Sequence, residues 1–95
     1  MTGESAVPVR RIVRIINERG LHARAAALFV KLAATFEAEI QVAHGDHVVP
    51  GRSIMGLMLL AAAPGTQIVI SAEGPAAVAA VDALADLVDA GFGET

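Results

Sequence analysis

The stretch "ERGLHARAAALF", Glu18–Phe29, decides how the rest of the chain is read. Asn17–Gly20 is turn-forming. Beyond it Ala25, Leu28, Phe29, Leu32 and Phe36 recur at three- and four-residue steps. That period predicts a helix from Ala23 to about Phe36 with those residues on its buried face. His22 then falls at the N-cap or first turn, with Arg24 two residues further on. A titratable ring and a fixed cation therefore stand together at a helix mouth.

Working outward, "VPVRRIVRII" (Val7–Ile16) is rich in β-branched residues and reads as a strand, with Val13 and Ile15 on one face and Arg14 on the other; residues 1–6 read as a loose end. After the helix, "EAEIQVAH" alternates with Ile40 and Val42 inward, "HGDH" is a turn, and His47–Val49 is a short strand ended near Pro50 and Gly51. Ser53 has the placement of an N-cap for a short helix closed by Pro64-Gly65, with Ile54 and Leu57 as its core candidates. "TQIVISA" is a strand with Ile68 and Ile70 inward. Pro75 opens a last helix that buries Val78, Val81, Leu84, Ala85 and Val88, exposes Asp82, Asp86 and Asp89, and stops at Gly91. The order β-α-β-β-α-β-α implies an α+β fold, helices on one face of a mainly antiparallel sheet, in a single domain spanning residues 1–95.

Composition narrows the functional classes. The chain has 95 residues, is 55% hydrophobic and carries no cysteine, so it is long enough for one core and has neither disulfides nor thiolate metal sites. No signal peptide is evident, and the longest apolar run, "IMGLMLLAAA" (Ile54–Ala63), is far short of the roughly 20 residues a membrane-spanning helix needs. A soluble, cytoplasmic protein without membrane insertion is the expectation. All seven basic residues lie at or before Arg52, whereas everything from Ser53 onward carries acids only. This polarity suggests a basic docking surface, but with three Phe, no Trp and no Tyr the chain lacks stacking platforms for nucleic acid. His44, Asp46 and His47 sit around a turn with no fourth ligand in view, so no metal site is expected, and no cofactor.

The chemistry concentrates at His22. Helix-mouth N–H groups have no internal partner and the dipole is positive there, a setting that favours anions and a neutral imidazole. A neutral imidazole is a nitrogen nucleophile, and a phosphoryl group on it would meet those N–H groups and the Arg24 guanidinium. The opposing reading, a capping histidine beside a solvated arginine, fits the same residues.

Two motifs resemble the histidine-containing phosphocarrier (HPr) family of the bacterial phosphoenolpyruvate-dependent phosphotransferase system. "GLHARAAALFV" (Gly20–Val30) is similar to its active-site signature, and "RSIMGLMLL" (Arg52–Leu60) to its regulatory-serine segment; "GTQIVISAEG" (Gly65–Gly74) matches the strand and turn that follow. The resemblance implies an open-faced β-sandwich, a four-stranded antiparallel sheet covered on one face by three helices. It implies that His22 is phosphorylated on Nδ1 by enzyme I, that Arg24 contacts the phosphate, and that an enzyme IIA domain receives it, in sugar uptake or in a nitrogen-type regulatory branch. The resemblance also implies that Ser53 is the position an HPr kinase/phosphorylase modifies in organisms that have one. Arg19, Ala23, Arg52, Met55, Leu57 and Met58 are the expected partner-binding residues of a monomeric carrier that is not itself an enzyme. Ala25 departs from the family, which usually has proline there. A regulatory binding module of the same fold, read out through Ser53, and a small nucleic-acid-binding domain are the competing functions. The retained His22–Arg24 pair weighs against the first as a sole role, the missing aromatics and acidic back half against the second.

Overall fold

The computed structural model describes residues 8–60 and 63–94. The elements are β1 (Val9–Arg14), α1 (Ala23–Ala33), β2 (Glu39–His44), β3 (His47–Pro50), α2 (Ile54–Leu59), β4 (Gln67–Glu73) and α3 (Ala77–Asp89), followed by a 3-10 turn at Gly91–Gly93. The four strands form one antiparallel sheet in the order β1-β4-β2-β3. β4, last in sequence, lies between β1 and β2, pairing Val13 with Ile68 on one side and Val42 with Ile70 on the other. This is the α+β architecture expected, with helices on one face.

The alternation read from the sequence sorts the sheet as anticipated: Val13, Ile15, Ile40, Val42, Ile68 and Ile70 are all buried. Against them pack Phe29 of α1, Leu57 of α2, and Val81, Leu84 and Val88 of α3. α3 lies across β1 and β4, and α1 packs on both other helices. Burying such apolar side chains stabilises by roughly 1.5–3 kcal/mol each relative to exposure.

Several boundaries and faces differ from expectation. β1 begins at Val9 and ends at Arg14, not Ile16; residues 1–7 lie outside the described part. α1 stops at Ala33, three residues before Phe36, because Thr35 N–H and Thr35 Oγ1 both bond the Leu32 carbonyl and Phe36 N–H bonds that of Ala33. Those i→i−3 bonds tighten the chain out of the α-helix. α2 ends at Leu59 with Leu60 as its C-cap, before Pro64-Gly65 is reached; residues 61 and 62 of the apolar run lie outside the described part. Pro75 is not the first residue of α3 but sits in the turn before its N-cap, Ala76. α3 ends at Asp89, with Ala90 as C-cap and Gly91 in the left-handed region at φ +62°, the stop expected there.

Three residues placed in the core are exposed: Leu28, Ile54 and Val78. In α2 Leu57 alone takes the inward position, and in α1 and α3 small neighbours share it. Ala26 and Ala33 of α1 and Ala77 and Ala80 of α3 are buried instead, letting these helices approach their neighbours closely. Among the described residues no helix is long and apolar enough to cross a membrane.

Candidate functional site

The site is built on the turn between β1 and α1. Asn17 is buried; its Nδ2 donates to the Gly20 carbonyl at 2.8 Å, and Gly20 N–H returns a bond to the Asn17 carbonyl at 3.1 Å. Gly20 holds φ +65°, a conformation that costs glycine little. This closed turn delivers His22 to the N-cap of α1 with extended backbone (φ −77°, ψ 177°), its own carbonyl accepting the first helical bond from Ala26 N–H at 2.9 Å. The expectation that His22 occupies the helix mouth holds.

The ring is fixed at both nitrogens. Nδ1 accepts the backbone N–H of Arg24 at 3.3 Å, and Nε2 hydrogen-bonds Glu94 Oε2. A backbone N–H can only donate, so Nδ1 carries a lone pair and the ring proton of a neutral imidazole resides on Nε2, where the carboxylate accepts it. That tautomer is assigned from the hydrogen-bond network. The ring is 22% exposed and the Glu94 side chain 26%. Asn17 Nδ2 donates a second bond to Glu94 Oε1 at 3.2 Å, so both carboxylate oxygens are held. The bond from His22 is the main cause holding the Glu94 carboxyl below its ordinary value of 4.5; partial desolvation opposes it, while the Asn17 bond and the nearby Arg19 cation add to it. Asn17 Oδ1 is buried without a partner among the described residues, the one such side-chain atom in this region.

A cleft of about 730 Å³ opens over this network, lined by Ile16, Asn17, Glu18, Arg19, His22, Arg24, Leu28, Phe92, Gly93 and Glu94. Neither Arg19 nor Arg24 takes part in an ion pair among the described residues, so two cations flank His22 uncommitted. The N–H groups of Ala23 and Ala25 have no backbone partner there either, as expected of a first helical turn. Ala25 is fully buried, and its N–H is one that a proline would lack.

The remaining expected site residues lie on α2 and its approach. Ser53 caps α2: its Oγ accepts Gly56 N–H at 2.9 Å. Met55 is 67% exposed and Met58 is exposed too, both on a helix packed against α1. Leu57 is the correction: at 0% exposure it faces the core and anchors α2, so it cannot touch a partner directly. Arg52 donates from one terminal nitrogen to the carbonyls of Phe36 at 3.2 Å and Ala38 at 3.4 Å, clamping the loop after α1. Ala23 is exposed at the mouth of α1. Sequence reasoning missed Asn17, Leu28 and Ile16 as site-lining residues, and missed Glu94 altogether. Among the described residues no group of three or more His, Cys, Asp or Glu is placed to hold a metal ion.

The residues 9–90 match the family model described as the PTS HPr component phosphorylation site. The phosphocarrier protein HPr of Neisseria meningitidis serogroup A is 45% identical over 86 residues, covering 90% of this chain and 97% of that protein. The phosphocarrier protein NPr of Shewanella violacea is 42% identical over 86 residues, covering 90% and 94%. Among solved structures, HPr-C-His from Thermoanaerobacter tengcongensis superposes with a TM-score of 0.88 at 41% identity, covering 92% of this chain and 98% of that one. The chain belongs to the PTS HPr family, the phosphocarrier proteins of the phosphotransferase system.

Proposed function

We propose that this protein is a cytoplasmic, monomeric carrier that accepts a phosphoryl group on His22 Nδ1 from enzyme I, ultimately from phosphoenolpyruvate, and passes it to an enzyme IIA domain. The observation that carries this reading is the hydrogen-bond pair on the ring, which leaves the Nδ1 lone pair toward the helix mouth. In the transfer that lone pair forms the N–P bond as the donor's own bond to phosphorus breaks, its electron pair returning to the donor. The phosphate oxygens then replace the ring nitrogen as acceptor for the Arg24 N–H, with the Arg24 guanidinium and the first-turn N–H groups sharing their charge. Because the N–P bond persists until an acceptor attacks it, turnover belongs to the partners.

The exposed faces of Met55 and Met58, next to α1, supply an adaptable apolar surface for several partners, and the cations around the cleft steer acidic ones. Ser53 is the regulatory position for an HPr kinase/phosphorylase. A phosphate there sits at the start of α2 and acts by placing negative charge on the docking surface rather than by melting the helix.

Incubation with enzyme I and labelled phosphoenolpyruvate tests the reading. Acid-labile, alkali-stable label on one histidine is expected, lost in His22→Ala and strongly reduced in Arg24→Ala. Absence of label with an active, compatible enzyme I overturns it. The kinase should give acid-stable phosphate that Ser53→Ala abolishes.

A further inference from the structure

The C-terminal segment reaches back 72 residues in sequence to touch His22, and nothing in the carrier reading requires it. Its course is unusual. Gly91, Phe92 and Gly93 lie in succession in the left-handed region, at φ +62°, +57° and +73°. Phe92 has a Cβ, so that conformation is held against a local steric cost. What holds it is burial: Phe92 is 4% exposed and packs into the core, and Glu94 N–H bonds the Gly91 carbonyl at 3.0 Å. The turn thereby reverses the chain at the end of α3 and presents Glu94 across the cleft from α1. There the carboxylate is gripped by two residues of the β1–α1 turn, His22 through Nε2 and Asn17 through Nδ2.

We infer that Glu94 is a positioning residue for phosphoryl transfer: it accepts a hydrogen bond from the Nε2–H of His22, fixes the ring's tautomer and rotation, and so keeps the Nδ1 lone pair aimed at the incoming phosphorus. The inference rests on His22 being the phosphoryl acceptor. Without a partner at Nε2 only the 3.3 Å bond from the Arg24 N–H holds the ring, and states turned about the Cβ–Cγ bond or protonated on Nδ1, in which no nucleophilic lone pair faces the helix mouth, gain population. As the N–P bond forms, the Nε2 proton stays on the His22 ring. The positive charge that develops there faces the carboxylate, and attack by the next acceptor returns the ring to its starting state. Asn17 is the fixed point of the arrangement, since its amide also closes the turn that presents His22. The downward shift of the Glu94 carboxyl agrees with this contact, since its largest cause is the hydrogen bond from His22.

The test uses the full-length protein with Glu94→Gln and Glu94→Ala. Two readouts are taken: the rate of phosphoryl acceptance from phosphorylated enzyme I, and ring nitrogen NMR of unphosphorylated protein. The wild type is expected to show a donor-type Nε2 with an exchange-protected proton and an acceptor-type Nδ1. In both variants that proton loses protection, and acceptance slows by about three- to tenfold, the scale of a partly exposed charge-assisted hydrogen bond. Variants folded by circular dichroism that accept phosphate at the wild-type rate, or a wild-type ring with its proton on Nδ1, overturn the inference. Label on His22 in the wild type separates its failure from failure of the carrier reading, which shows as no label in any of the proteins.

Discussion

The Ser53 cap gives the sharpest test of how the second motif works. α2 has only six residues, and its backbone bonds include Leu57 N–H to the Ser53 carbonyl at 3.0 Å and Leu60 N–H to the Gly56 carbonyl at 3.2 Å. With so few bonds, satisfying Gly56 N–H through Ser53 Oγ at 2.9 Å matters to the whole element. Ser53→Ala removes the acceptor and leaves that N–H without its protein partner. The expected loss is about 1 kcal/mol, the usual worth of a serine N-cap. In a domain of this size that lowers the melting temperature by roughly 4–8 °C. Ser53→Asp keeps an acceptor oxygen at the same place and adds negative charge facing the positive end of the helix, so its melting temperature should stay close to wild type. Scanning calorimetry of the three proteins at neutral pH decides the matter. An unchanged Ser53→Ala, or a Ser53→Asp that falls as far, would refute the reasoning that charge is accommodated there without melting α2. If Ser53→Asp is stable but slow to accept phosphate from enzyme I, the effect of charge lies at the docking surface.

Other outcomes follow from the same structure. Leu57→Ala, at a fully buried position, should cost about 2–5 kcal/mol in urea unfolding, while Met55→Ala leaves stability within about 0.5 kcal/mol and weakens enzyme I binding in calorimetric titration. The lowered Glu94 carboxyl binds its proton more readily in the unfolded chain. Its stabilising contribution is therefore complete above the ordinary carboxylate value of 4.5 and is lost as the pH falls through the lower folded value. Melting temperature against pH should accordingly fall less steeply in acid for Glu94→Gln than for wild type. Gly74→Ala should destabilise by more than about 1 kcal/mol, because Gly74 holds φ +119° and a new Cβ would lie 3.3 Å from the Glu37 carbonyl oxygen and from Ala38 Cα, backbone atoms that cannot swing aside. Reversible thermal melts would show it.

The amino-acid sequence by itself determined the order of the elements and the positions of the two caps. Those features are local: alternation marks strands, a three-to-four residue step marks helices, and a glycine turn before an alanine-rich run places His22 at a helix mouth. Ser53 was legible for the same reason. The motifs around these two residues also carried the family. The three-to-four residue step also placed Ala25 and Phe29 of α1 and Val81, Leu84, Ala85 and Val88 of α3 on buried faces, while tertiary structure decided where the edges of those faces fall. Val78 and Leu28 are as apolar as the residues chosen for the core, yet alanines face inward because they let α3 and α1 sit closer to their neighbours. It also decided that Leu57 anchors α2 while the methionines face out, and that Arg52 clamps the loop after α1. Above all it brought Glu94 onto His22. No local pattern encodes that contact, since it depends on where α3 ends in space and on a left-handed turn held by the burial of Phe92.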